Sequence, residues 1–288
     1  MINPWLLAAR PKTLSAAVVP VLVGTALAAR GPMPIHWLIF ACALAGSVFI
    51  QIGTNYVNDA LDFKKGTDTA ARLGPLRVTQ AGLLGADAVL RGAYLCFVLA
   101  ALCGIPLILR AGWPLLVIGI ASIAAAYAYT GGPYPLAYHG LGELFVLIFF
   151  GFVAVGGSYY VQTQRIDVAP LIAGFAVGAL AIVILAINNL RDLPNDRAGN
   201  KLTLAARFGE PFARGEIRMM AIAAYLAVLW LAFLRDWHIA ATFITFPLAL
   251  VLLARVARSR GAELNRCLAM AGGLQWAFGI ALAISAIV

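Results

Sequence analysis

The chain has 288 residues, of which 62% are hydrophobic and only 11% charged, with a net charge of +9. Soluble domains carry about 25% charged residues, so this composition excludes a soluble globular protein and describes an integral membrane protein. The positive charge by itself would allow a nucleic-acid partner, but its distribution over alternate loops argues against one.

Uncharged runs predict an all-α bundle of nine transmembrane helices, at residues 13–29, 35–58, 92–109, 111–130, 144–164, 168–190, 219–234, 237–254 and 267–288. Most approach the roughly 20 residues that cross a hydrocarbon core as a helix, and the shorter ones can borrow from their flanks. Ten-residue blocks alternating with period two are absent, which disfavours a membrane β-barrel. With nine spans, 17 of the 21 Lys and Arg residues fall on one side; Arg30, Arg110, Arg165 and Arg235 fall on the other. The positive-inside rule then puts the N-terminus and the loops after spans two and six in the cytoplasm, and the C-terminus outside. The expected location is the inner, cytoplasmic membrane. The basic excess is mostly topology plus attraction to anionic lipid or substrate.

The first residues carry Trp5 and Arg10-Pro11-Lys12-Thr13, which read as an interfacial anchor; alternatively Arg10 or Lys12 reaches an anionic ligand. No convincing cleavage site follows, so the first span is expected to be retained. Pro20 should kink it unless neighbours compensate. Cys42, Cys96, Cys103 and Cys267 lack metal-site spacing and read as small core residues.

Span two ends in the stretch Asn55–Asp68, which gathers Asn55, Asn58, Asp59, Asp62 and Asp68. Asn55, Asp59 and Asp62 fall at i, i+4 and i+7, one face of a helix. Oxygen ligands so grouped suit Mg²⁺ held together with substrate phosphates, although a polar helix end wetted by the interface would look the same. The next loop holds Arg72 and Arg77, which either balance the acids or take phosphate in bidentate fashion. Spans three and four are small-residue-rich, as helix contacts in lipid tend to be. Tyr127 and its neighbours at the end of span four are interface belt or cavity wall. Span five ends in Tyr159-Tyr160 and a polar turn on the outer side.

Span six ends in a second cluster. Shifted by 133 residues, Asn188 overlays Asn55, Asp192 overlays Asp59, Arg197 overlays Lys64 and Gly199 overlays Gly66. The chain thus reads as a single polytopic domain, residues 1–288, with a pseudo-repeat of acidic motifs at 55–68 and 188–201. Pro194 should break the helix near Leu193 and put Asp196 on a turn. Glu210 and Glu216, among Arg207, Arg214 and Arg218, read as a solvated salt-bridge patch.

Each acid would cost about 2.5–3.5 kcal/mol at a bilayer centre, and clustered carboxylates repel by about 4 kcal/mol per pair 4 Å apart at an effective dielectric of 20. Such groups persist near an interface if compensated by Arg, Lys or divalent cations. Two Asp sets facing each other, rimmed by cations, make a metal–diphosphate clamp. A transporter also buries Asp and Asn, but near the midplane at broken helices. A CDP-alcohol phosphatidyltransferase would need a Gly-x-x-Ala-Arg element that its single Asp motif lacks here.

Four features resemble the UbiA superfamily of intramembrane aromatic prenyltransferases: Arg10-Pro11-Lys12-Thr13-Leu14, Asn55-x-x-Asn58-Asp59-x-x-Asp62-x-x-x-Gly66-x-Asp68, Gly74-Pro75-x-Arg77, and Asn188-Asn189-x-Arg191-Asp192-x-x-x-Asp196. Gly66, where the 4-hydroxybenzoate branch usually has a third Asp, and Tyr159-Tyr160-Val161-Gln162-Thr163 look more like the 1,4-dihydroxy-2-naphthoate polyprenyltransferases of menaquinone synthesis. The resemblance implies a nine-helix bundle transferring a polyprenyl group from its diphosphate to an aromatic acceptor, with 4-hydroxybenzoate the alternative to the naphthoate. It implies two Mg²⁺ ions on Asn55, Asp59, Asp62, Asn188, Asp192 and Asp196, the four Asp being catalytic. Arg77, Arg191, Lys201 and Asn58 would take the diphosphate, and Tyr127, Tyr160 and Asp68 would wall the cavity or the acceptor.

Overall fold

The computed structural model describes residues 3–68 and 73–288, which form helices joined by short loops, with no strand among the described residues. Arg72, one of the two loop arginines considered above, lies outside the described residues. In chain order the helices are α1 (Pro4–Ala9), α2 (Ser15–Ala29), α3 (Trp37–Lys64), α4 (Ala86–Ala111), α5 (Trp113–Ala128), α6 (Gly142–Thr163), α7 (Val168–Ala198), α8 (Leu204–Phe208), α9 (Glu210–Leu234), α10 (Trp237–Arg258) and α11 (Gly261–Ile287). Seven of them are long and apolar enough to cross a membrane. The segment Pro4–Thr13 bends by 49° into α2, and the pair would make an eighth; α5 is a shorter apolar helix.

The helices pack as two lobes. In the larger, α7 is the hub: it packs against α6, α9 and α11, and α2 closes onto α11 and α6. In the smaller lobe α3 and α4 pair along their length, with α1 and Val78 against them. Small residues set the close approaches, as they do where helices associate without a hydrophobic drive in lipid. At the α6–α7 crossing, a Cβ on Gly174 would stand 2.9 Å from the Gly151 carbonyl oxygen, and one on Gly151 would stand 2.6 Å from that of Gly174. Here α6 widens into a π-helical stretch, Leu147–Val153.

Both prolines expected to disturb helices are absorbed. α2 runs unbroken through Pro20, and the bend falls at Leu14 instead. α7 runs unbroken through Pro194 to Ala198, so Asp196 lies on the helix one turn beyond Asp192, not on a turn after a break. Proline removes one backbone hydrogen bond, and a helix as enclosed as α7 keeps its course through tertiary contacts. One such contact is Asn195 Nδ2, which donates to the Thr67 carbonyl at 2.7 Å.

A cavity of about 690 Å³ runs between the lobes, bounded by α2 to α7. At the opposite end of α3 from Asp62, Ile39, Ala111, Leu115 and Val161 form a small buried apolar cluster, of which Leu115 and Val161 also line the cavity. Beyond them Arg110 Nε donates to the Val161 carbonyl at 2.8 Å, and Gln162 exchanges hydrogen bonds with the His36 backbone. Replacing Gly174 with Val should overpack the α6–α7 crossing at a cost of about 1–3 kcal/mol. Gly215, whose added Cβ meets nothing within 4 Å, should gain about 0.5–1 kcal/mol as Ala through helix propensity. Thermal melts in detergent should therefore move in opposite directions for the two variants.

Candidate active site at the end of the inter-lobe cavity

The polar end of the cavity is made where α3 and α7 finish. The Thr67–Asn195 hydrogen bond joins the two acidic motifs directly, and Gly199 sits against Thr67, where a Cβ would come within 2.9 Å of Cγ2. The lining there comprises Arg10, Asn55, Asn58, Asp62, Arg77, Tyr129, Asn188, Asn189 and Lys201.

Asp62 is the centre of this end. Its side chain is 2% exposed; Oδ2 faces Arg77 Nη2 at 3.4 Å and Lys201 Nζ at 3.5 Å, and Oδ1 accepts from Tyr138 Oη at 2.9 Å. Arg77 Nε also pairs with Asp68 at 3.0 Å, so one guanidinium ties the helix end to the loop. Burial alone would lower the Lys201 pKa, but the carboxylates of Asp62, Asp196, Asp192 and Asp68 outweigh it and raise the value, so Lys201 is firmly charged. Lys65 goes the other way: burial and neighbouring Lys201 lower its pKa against the pull of Asp62. Both ammonium groups lie over the Tyr138 ring, 4.4 Å and 5.5 Å from its centroid. Burial, then the Asp62 charge, raises the Tyr138 phenol pKa, which keeps it a hydrogen-bond donor.

The predicted oxygen ligands divide. Of the expected metal ligands Asn55, Asp62 and Asn188 line the cavity, whereas Asp59, Asp192 and Asp196 do not; Asn58, expected on the diphosphate, lines it too. Asp59, 1% exposed, accepts from the backbone N–H groups of Val78 and Thr79 at 3.2 and 3.0 Å and makes a short hydrogen bond with the Thr79 hydroxyl. It therefore clasps the loop that carries Arg77. The helical geometry explains this: Asp62 falls between Asn58 and Asn55 around the axis, and Asp59 falls at the edge of the arc. Asn55 Nδ2 donates to the Ala9 carbonyl at 2.9 Å and to Thr13 Oγ1 at 3.1 Å, which leaves its oxygen for the cavity. Asn58 accepts a short hydrogen bond from the Thr130 hydroxyl.

On α7, Arg191 is 2% exposed and is committed within its own motif. It donates to Asp192 at 2.8 and 2.6 Å, to Asn188 Oδ1 at 2.8 Å and to Asn265 Oδ1 at 2.9 Å. Arg191 thus orders the motif, and it does not line the cavity. Tyr127 and Tyr160, read as cavity walls, also stand outside the lining: Tyr127 stacks with Tyr94 at 6.4 Å, and Tyr160 packs against the apolar cluster that holds Val161. Sequence spacing did not single out Tyr138, Thr79 or Thr130, because none belongs to an acidic or basic pattern, and it left Asn189 within the second motif with no role of its own. Glu216, read as solvated, is buried, and Arg214 pairs with Glu210 instead.

Among the described residues no three His, Cys, Asp or Glu side chains are grouped as a metal site. The donor chemistry nevertheless fits a hard cation. Apart from the Tyr129 phenol, the side-chain oxygens of the lining residues named at this end are carboxylate or amide, and the two cations on Asp62 Oδ2 sit at long distances that a metal could replace.

The model of the UbiA prenyltransferase family matches residues 17–286. The 1,4-dihydroxy-2-naphthoate octaprenyltransferase of Mycobacterium tuberculosis is 40% identical over 98% of this chain and 96% of its own length. The Haemophilus influenzae protein of the same name is 37% identical over 87% of this chain and 83% of its own. In fold, the chain is similar to an Archaeoglobus fulgidus UbiA homolog solved with GPP and Mg²⁺, with a TM-score of 0.69, 99% of each chain covered and 12% identity. A two-lobed helical membrane fold, a cation-rimmed acidic end and a match along nearly the whole chain agree: the protein belongs to the UbiA prenyltransferase family.

Proposed function

We propose that this enzyme transfers a polyprenyl group from its diphosphate to 1,4-dihydroxy-2-naphthoate, with loss of the carboxylate as carbon dioxide. The observation that carries this is the cavity itself: Arg10, Arg77, Lys201 and Asp62 at one end, apolar walls for the rest of its length. The names of the relatives supply the acceptor. Leu102, Ile105, Leu116 and Ile120 line the cavity and are also 45–62% exposed, so its apolar part opens sideways, where a long prenyl tail can lie in lipid.

Lys201, Arg77 and Arg10 would take the diphosphate oxygens, with Arg77 and Lys201 shifting from Asp62 toward the substrate. Asp62, with the amide oxygens of Asn55 and Asn58, would hold Mg²⁺, and Asn188, Asp192 and Asp196 would complete the set if the α7 motif rearranges on binding and Arg191 releases Asn188 Oδ1. When bound, Mg²⁺ neutralises the phosphates and so stabilises the leaving group. The diphosphate leaves with the electron pair of the breaking C–O bond. The new C–C bond takes its pair from the acceptor ring, and the ring recovers it when the carboxylate leaves as carbon dioxide. The balance needs no proton acceptor. The dry walls protect the allylic cation from water.

In this reading all nine apolar segments cross the membrane, α2 and α5 included. The two motifs form a pseudo-repeat in one domain, with the N-terminus and the active site on the cytoplasmic side and the C-terminus outside. Cysteine labelling checks this. A cysteine in place of Leu83, 46% exposed, should react only after permeabilisation, and one in place of Ile166, 88% exposed, should react on intact cells.

Purified protein with Mg²⁺, a polyprenyl diphosphate and dihydroxynaphthoate should release diphosphate and carbon dioxide in equal amounts. EDTA should stop turnover and Mg²⁺ restore it. Product from 4-hydroxybenzoate alone would replace the acceptor, and no release with either would refute the proposal. Asp62→Asn should lower kcat at least about 100-fold, because it loses charge stabilisation in the reaction, and should also lower the melting temperature, because Arg77 and Lys201 lose their shared carboxylate. Asp59→Asn should lower stability by about 1–3 kcal/mol as well as activity, since the amide cannot accept all three donors of the Arg77 loop.

A further inference from the structure

Asn189 and Glu143 form a buried pair for which the diphosphate chemistry has no use. Asn189, on α7, is 5% exposed; Glu143, in the first turn of α6, is 6% exposed. Asn189 Nδ2 donates to Glu143 Oε1 at 2.9 Å. A carboxylate is an acceptor only, so it fixes which way the amide faces: Nδ2 toward Glu143, Oδ1 away from it. Asn189 lines the cavity, and its Oδ1 takes no hydrogen bond from any described residue. A hydrogen-bond acceptor left open in a mostly enclosed space needs a donor from whatever fills that space.

A diphosphate offers oxygens and would be repelled by Oδ1. An aromatic acceptor offers a hydroxyl. Asn188, the preceding residue, has its own Oδ1 taken by Arg191, so the two amides of this motif are set to different tasks by different partners. Tyr129 stands on the same side: a Cβ on Gly142, next to Glu143, would come within 3.1 Å of its Oη.

We infer that Asn189 Oδ1 accepts a hydrogen bond from a ring hydroxyl of the aromatic acceptor, and that Glu143 is the positioning residue that holds the amide in this orientation. This rests on the reading of the protein as an aromatic prenyltransferase and assigns the acceptor's anchor within it. The hydroxyl so held would fix which ring carbon faces the donor's reactive carbon. Glu143 touches neither substrate.

The test separates the two substrates. With dihydroxynaphthoate varied at saturating polyprenyl diphosphate, Asn189→Leu should raise the acceptor KM about tenfold or more, with the donor KM unchanged within twofold. Glu143→Gln, whose own amide can turn either way and release Asn189, should give a smaller rise of the same kind. A merely structural role would lower melting temperature and kcat without this split. Equal rises in both KM values, or a changed Mg²⁺ requirement, would put Asn189 on the diphosphate side and overturn the assignment. An unchanged acceptor KM in a folded Asn189→Leu protein would do the same. If the variants do not fold, wild-type protein decides: it should prefer dihydroxynaphthoate to its mono-methyl ethers by about tenfold for at least one hydroxyl. Equal use of all three compounds would sink the idea. No turnover of any aromatic acceptor by wild-type protein would instead remove the prenyltransferase reading beneath it.

Discussion

A carboxylate taken out of water stays ionised only where its neighbours supply the lost solvation, and Asp62 receives this from three directions. Arg77 comes from the α3–α4 loop, Lys201 from the segment after α7 and Tyr138 from the connection between α5 and α6. Each partner belongs to a different stretch of chain. The group that must be compensated is therefore also the group that assembles the polar end of the cavity. Breaking a buried pair by removing one partner costs about 3–5 kcal/mol, so these segments are held together more firmly than their irregular backbone would suggest.

Around this centre several other polar groups are committed to geometry. Asp59 gathers the Val78 and Thr79 amides, Arg191 binds three side chains of its own surroundings, and Asn195 reaches back to Thr67. Such contacts cost conformational freedom once, on folding, and spare that cost when substrate binds. The uncharged amides Asn55, Asn58, Asn188 and Asn189 line the cavity together with Asp62. A site that must hold a highly negative substrate gains from this division, because extra carboxylates on the wall would repel the phosphates they are meant to receive.

The helices were legible in the sequence because apolar runs and their lengths report directly on what can lie in lipid. Each of the nine uncharged runs coincides with a helix, and the acidic motifs fall at the ends of α3 and α7 as spacing predicts. What spacing cannot resolve is rotation within an arc. Asn55, Asp59 and Asp62 share a face by their intervals, yet a few tens of degrees separate a residue that lines the cavity from one that clasps a loop. Proline rules misled in the same way at Pro194, since local propensity yields to packing when a helix is enclosed on most sides. Tyr138 was invisible, and Asn189 stood in its motif without a role, because their importance comes from contacts across the chain, with Asp62 and Glu143, that no local pattern encodes.

The apolar cluster at the opposite end of α3 from Asp62 has a consequence for the membrane as a whole. Ile39, Ala111, Leu115 and Val161 pack together there, and the Arg110, Gln162 and His36 contacts brace the helices that carry them. A buried apolar cluster opposes the entry of ions, so water and ions around the acids and bases at one end of the cavity meet a barrier at the other. The charges can thus be hydrated between turnovers while the membrane keeps its electrochemical gradient.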